Sequence, residues 1–191
     1  MVPRADRQPK AARPSSGAHV ALIRGINVGR AKRVAMADLR AIVEKLGYED
    51  VRTLLNSGNV VFRAAKGTGA AAGIERAMKA KLGVSAQVVV LGAADLAAIV
   101  KENPLAKVAT NPSRLMVAVP IDGDLSRLKP LAKEDWKPEA LALGRRAAYF
   151  WCPDGLLESR LGVAMYRTHG ERLTIRNWAT ITKLQALTRD D

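Results

Sequence analysis

The chain is poor in the residues that most reactive chemistry needs. One cysteine, Cys152, and two histidines, His19 and His169, occur among 191 residues. A single thiol excludes an internal disulfide and any cysteine-built zinc cluster, and fits a reducing cytoplasm. Two histidines leave almost no material for a histidine-held metal or a histidine-based triad. His19 opens an apolar strand, and His169 falls in a polar turn, Thr168-His169-Gly170-Glu171. Aromatic residues make up only 4%. Tyr149, Phe150 and Trp151 are consecutive on a strand, so alternate rings point to opposite faces. They lack the aromatic pattern of RNA-recognition sheets, which favours core packing. No run of 18 apolar residues exists, so no membrane-spanning helix is expected. Acidic residues are also scarce, 18 against 31 Lys+Arg, for a formal net charge of +13. A chain so basic is attracted to polyanions, unless its charges are simply spread evenly over a soluble surface.

Apolar residues are 48% of the chain, ordinary for a globular protein, and the length suits one domain or two small ones. Residues 1–18 are basic and rich in Pro, Ala and Ser, without the apolar centre of a secretion signal. They read as a disordered tail that cannot bury enough apolar surface to order itself. From His19 the pattern is regular. His19–Gly25 is a strand. Leu39, Ile42, Val43 and Leu46 recur at helical spacing, and Gly47 stops the helix. Val51–Leu55 and Val60–Phe62 flank the turn Asn56-Ser57-Gly58-Asn59 as a hairpin. A helix over 69–82, a strand over 86–91 and a short helix from Asp95 complete β-α-β-β-α-β, the split arrangement of a ferredoxin-like sandwich.

Asn103-Pro104 and Asn111-Pro112 punctuate a linker over 104–112, which separates a first subdomain, 19–103, from a second, 113–191. In the second, Arg114–Pro120 is a strand and Leu125–Lys133 a helix. Ala140–Leu143 and Ala147–Trp151 are strands, Leu156 to about Tyr166 is a helix, and Asn177–Leu187 is a final helix. The order β-α-β-β-α therefore appears twice. The expectation is α+β: two tandem ferredoxin-like subdomains with antiparallel sheets and helices packed on one face.

This topology brings two loops together. The strand after the first helix runs parallel to the first strand, so its hairpin turns at the edge where that strand ends. The third strand then lies beside the first, about 4.8 Å away. The loop Arg24-Gly25-Ile26-Asn27-Val28-Gly29-Arg30 and the turn Asn56-Ser57-Gly58-Asn59 become neighbours. Together they offer two arginines, three asparagines and three glycines, with the start of the first helix close by. The set suits an anion, but it is neither a phosphate loop nor GxGxxG. Gly and Asn are also default turn residues, so each loop alone reads as plain chain reversal. A third stretch, Leu173-Thr-Ile-Arg176-Asn177-Trp178, puts Arg176 and Asn177 at a helix N-terminus, where an anion is welcome and where capping alone also explains them. Arg30-Ala-Lys32-Arg33 and Arg145-Arg146 are short basic clusters on loops of corresponding type, suited to phosphate contacts or to solvent.

Three separated motifs, "ALIRGINVG", "MADLRAIVEKLGYEDVRTLLNSGNVVF" and "TIRNWATITKL", give the chain a family resemblance. Over residues 19 to about 188 it resembles the bacterial domain-of-unknown-function family 1697. The resemblance implies a pair of ferredoxin-like subdomains and carries no established reaction, cofactor or catalytic residue. It marks Arg24, Gly25, Asn27, Gly29, Ser57, Gly58, Asn59, Arg176, Asn177 and Trp178 as pattern positions. Residues 156–173 depart from the pattern, with an irregular, shortened stretch over 162–170.

Three function classes stay open. The first is a binding module for a phosphate-bearing ligand such as nucleic acid, contacted by Arg24, Gly25, Asn27, Gly29, Arg30, Asn56, Ser57, Gly58, Asn59, Arg176 and Asn177. The second is an enzyme acting on a small phosphorylated or carboxylated metabolite at the 24–30 and 56–59 loops. It has no recognisable catalytic constellation: Asp38, Glu44, Ser57 and Cys152 could merely titrate or attack. The third is an interaction or scaffold protein whose motifs serve folding alone. No metal or cofactor and no membrane partner is indicated, and a cytoplasmic location is expected.

Overall fold

The computed structural model describes residues 17–28 and 33–189. The candidate residues Gly29 and Arg30 and most of the basic tail lie outside these. The first sheet contains β1 (Gly17–Ile23), β2 (Glu49–Leu54), β3 (Asn59–Ala64) and β4 (Val88–Gly92), in the order β2-β3-β1-β4. The second contains β5 (Leu115–Pro120), β6 (Ala140–Leu143), β7 (Ala148–Trp151) and β8 (Leu173–Asn177), in the order β6-β7-β5-β8. Every hydrogen-bonded pair is antiparallel. Both sheets thus have the expected ferredoxin-like strand order, twice over. β1 starts at Gly17, two residues inside the expected tail.

Helices α1 (Met36–Lys45) and α2 (Ala70–Leu82) cover one face of the first sheet. Leu39, Ile42 and Val43 of α1 and Ile74 and Met78 of α2 are buried against Ala21, Ile23, Val60 and Phe62. In the second sheet, Phe150, Met116 and Ala118 meet Leu161 and Met165 of α4 (Arg160–His169). The opposite faces are not open to water. Val20, Leu22, Val61 and Leu91 of the first sheet share one core with Val117, Val119, Tyr149 and Trp151 of the second. Into that core α3 (Ala93–Lys101) sends Leu96 and Ile99, and α5 (Trp178–Leu187) sends Ile181 and Leu184. The alternation on β7 is as expected, with Tyr149 and Trp151 on the shared face and Phe150 on the outer one. All three rings are buried, so none is a platform for bases.

Four details differ from expectation. The span 125–133 is not one helix but two 3-10 turns, Ser126–Leu128 and Leu131–Lys133, because Pro130 cannot donate to a continuing helix. The helix expected from Leu156 begins at Arg160, where Ser159 caps it by accepting from Gly162 N at 2.7 Å. His169 is not in a polar turn. It is buried at the end of α4, with Nε2 2.9 Å from Asp124 O. Finally, Leu173–Asn177 is a strand, β8, paired with β5 along its length.

Candidate functional site

β1 ends at Ile23 and β3 begins at Asn59, which faces Leu22. Ile23 N donates to Gly58 O at 2.8 Å, so the exit loop of β1 and the β2–β3 turn do lie side by side. Gly58 is required here. Its φ is +74°, and a Cβ would come within 2.9 Å of Ile23 and Ile26.

The side chains at this rim are largely occupied by the protein itself. Asn27, in the left-handed region at φ 57°, accepts from Val34 N at 2.8 Å. Its amide donates to Val34 O at 2.9 Å and to Asn56 O at 2.8 Å. It therefore staples the loop shut and ties it to the turn. Asn59 is fully buried and donates to Leu54 O and Ser57 Oγ at 3.0 and 2.9 Å.

The remaining partners come from the second subdomain. Arg176 on β8 reaches back and donates from Nε to Asn59 Oδ1 at 2.6 Å. Its Nη2 donates to Ile23 O at 2.7 Å, Ser57 O at 2.9 Å and Gly58 O at 3.3 Å. Its Nη1 donates to Thr174 Oγ1 at 3.2 Å and Ile175 O at 2.8 Å. Every acceptor is neutral, and among the described residues no carboxylate balances the charge. Burial alone pulls its pKa down to about 10, which leaves it protonated at neutral pH. Arg24 makes the reciprocal reach, from the end of β1 to Leu173 O at 3.1 Å, with Glu171 3.7 Å away. Each arginine thus ties its own subdomain to backbone of the other. Asn177 caps α5 by accepting from Thr180 N at 2.9 Å.

The Asn27–Asn56 tie divides the rim into two openings. The outer one, about 370 Å³, is lined by Asn27, Arg33, Val34, Ala35, Met36 and Asn56. Ala35, at the N-terminus of α1, offers no capping side chain. The inner one, about 350 Å³, lies between the subdomains. Ile23, Ile26, Leu55, Met116, Leu156 and Ile175 supply its apolar walls, while Ser57, Arg176, Asn177 and Thr180 supply its polar groups. Gly25, in the left-handed region at φ +70°, sits on this inner side.

The basic pair Arg145-Arg146 is engaged as well. Arg145 pairs with Glu102, whose pKa is lowered chiefly by that hydrogen bond, and Arg146 reaches Asp95 at 2.9 Å. These pairs flank a larger cleft of about 730 Å³ that includes Leu91, Asp95 and Ile121. Cys152 is buried, and burial pushes its thiol up to about 11, away from nucleophilic thiolate. Among the described residues no cluster of three His, Cys, Asp or Glu side chains could hold a metal, and no helix is long and apolar enough to cross a membrane.

Topology could identify the meeting of the two loops from sequence. It could not identify Met116 and Leu156 as their companions, since no local signal links these two residues to loops of the other subdomain.

Comparison with known proteins agrees with the fold. The family model described as "Protein of unknown function (DUF1697)" matches residues 17–149. A solved structure, that of conserved bacterial protein SP0830 from Streptococcus pneumoniae, is similar with a TM-score of 0.75 at 21% identity. The match covers 92% of this chain and 100% of that one. No curated protein matches.

Proposed function

As the chain belongs to the DUF1697 family of proteins of unknown function, we propose from its own residues that it is a binding module for a phosphate-bearing ligand, with nucleic acid the class its charge suits best. One observation carries this reading. The outer opening is lined by Arg33, the uncapped start of α1 and two asparagines, with no carboxylate among its lining residues. On a chain of net charge +13, such an opening favours a phosphate group. An enzyme has less support. Cys152 is sealed with a raised pKa, and the hydrogen bond reaching Ser57 Oγ is donated by Asn59 rather than by a base. The scaffold reading is favoured by a different observation: Asn27, Asn59 and Arg176 spend their hydrogen bonds inside the protein.

The test is binding to a mixed-sequence single-stranded oligonucleotide across a salt series. Affinity should fall steeply with salt, and Arg33→Ala should reduce the magnitude of the log–log slope by roughly 1, as loss of one phosphate contact requires. Absence of retention at low salt would refute the binding reading. An unchanged slope in the variant would remove the outer opening from the site.

A further inference from the structure

We propose that the inner opening between the subdomains is a second, separate site, and that it takes a small aliphatic carboxylate with its head toward Arg176 and its tail along Ile26, Leu55 and Leu156. The inference is independent of the outer opening and of nucleic acid.

Four features converge on it. The first is charge. Arg176 lines the cavity, its donors all end on neutral acceptors, and no described carboxylate neutralises it. Its N–H groups are spent inside the protein, so what it offers an anion is unneutralised charge, while the hydrogen bonds come from neighbouring groups. The second is a set of donors on the same wall. The Asn177 oxygen is taken by Thr180 N, which leaves its amide N–H groups for a guest. Thr180 lines the cavity at the N-terminus of the ten-residue helix α5 and carries a hydroxyl. The Ser57 oxygen accepts from Asn59, so its own proton is free to be donated.

The third feature is the rest of the lining, which is aliphatic and asks for an apolar tail. Its volume of about 350 Å³ holds about a dozen non-hydrogen atoms, at roughly 30 Å³ each as for water in the liquid. The fourth is strain. Leu55 has φ 58° and is 55% exposed, at the cavity mouth. A branched side chain is disfavoured in the left-handed region, where Asn or Gly would sit without cost. Neither the turn nor the core needs a leucine there. Val28, 73% exposed, adds apolar surface to the same opening. Strain retained on an exposed apolar residue beside a cavity points to a bound apolar guest.

The experiment is calorimetric titration of the full chain with octanoate, 1-octanol and acetate, and of the variants Leu55→Asn and Thr180→Val with octanoate. Octanoate should bind, with octanol and acetate each weaker by tenfold or more. Leu55→Asn should leave the fold at least as stable as wild type and weaken octanoate by about tenfold, as loss of an apolar contact along its tail requires. Thr180→Val should weaken it without altering the octanol result. Equal binding of octanoate and octanol would overturn the proposal, as would no octanoate binding at millimolar concentration or full affinity in both variants. Arg33→Ala should leave octanoate binding intact and Leu55→Asn should leave the oligonucleotide salt slope intact, so failure of either site is visible separately.

Discussion

Replacing Arg176 by Met tests the central contact between the subdomains, and its magnitude can be worked out. Six hydrogen bonds are lost. At about 1 kcal/mol net each, a simple count gives about 6 kcal/mol. The structure argues for much less. Ser57 is exposed, so water replaces that bond, and Gly58 O keeps its bond from Ile23 N. Thr174 Oγ1 and Ile175 O lie on the same strand as Arg176. The groups truly orphaned are Asn59 Oδ1 and Ile23 O, both on fully buried residues, at about 2 kcal/mol each. Against this, the fall in the Arg176 pKa to about 10 corresponds to about 3 kcal/mol of desolvation that Met removes. The expected net loss is about 1 kcal/mol at pH 7, read by urea denaturation followed by tryptophan fluorescence. The pH dependence has a definite sign. The folded pKa lies below the unfolded one, so as pH rises past about 10 the unfolded chain binds more protons and wild type gains stability. The gap between wild type and variant should therefore widen by roughly 1.4 kcal/mol on going from pH 7 to pH 11, while losses common to both cancel. A loss of 4 kcal/mol or more at pH 7, or a gap that narrows at alkaline pH, would refute the reasoning.

Two further substitutions probe the rim and the shared core. Asn27→Gly keeps the left-handed freedom and loses only the staple to Val34 and Asn56, for about 1–2 kcal/mol. Asn27→Ala should cost about 1 kcal/mol more, since Ala is strained at positive φ. Equal losses in denaturant unfolding would show that the backbone conformation is not what Asn27 is for. Tyr149 donates from its hydroxyl to Ile99 O at 2.6 Å, and burial, its main cause, pushes its pKa up to about 12. That contribution is complete below pH 10 and is lost as pH rises through 12, because the unfolded chain ionises first. Tyr149→Phe should cost about 1 kcal/mol at neutral pH and remove this part of the alkaline loss, which denaturation curves at pH 8 and 10.5 would read.

The parts of the fold that were legible in the sequence are those set by local chemistry. Apolar runs such as Val20–Ile23 and Val60–Phe62 have nowhere to go but a sheet, and Leu39, Ile42 and Val43 mark a helix face whatever lies opposite. β8 was not legible, because Thr174 and Arg176 look like the approach to a capped helix. What makes the segment a strand is its pairing with β5, more than fifty residues earlier. The site follows the same division. The adjacency of the two glycine loops is a consequence of strand order, and strand order is readable. The use of their side chains is not, because Arg24 finds its partner at Leu173 and Asn59 finds its partner at Arg176. A polar residue in a turn looks the same in sequence whether it awaits a ligand or is already bonded to the other half of the chain.

The duplication sharpens this last point. Aligning the two halves on the caps of α3 and α5, Gly92 and Asn177, sets Leu91 against Arg176 and Asp95 against Thr180. Carried through the ladders, it sets Asn59 against Ala147, and Ser57-Gly58 against Arg145-Arg146. The inner opening and the larger cleft are therefore equivalent places, each made from one subdomain's exit loop and hairpin turn and the other's edge strand and following helix. Their chemistry is inverted. In the larger cleft the strand position is apolar, and the arginines stand on the turn, matched by Asp95 and Glu102 on α3 and just beyond it. In the inner opening the turn is neutral, the arginine stands on the strand, and the helix position that would answer it with a carboxylate is Thr180. The same architecture thus satisfies its own charges on one side and leaves one unanswered on the other. This inversion is why the proposed carboxylate is placed in the smaller opening and not in the larger cleft.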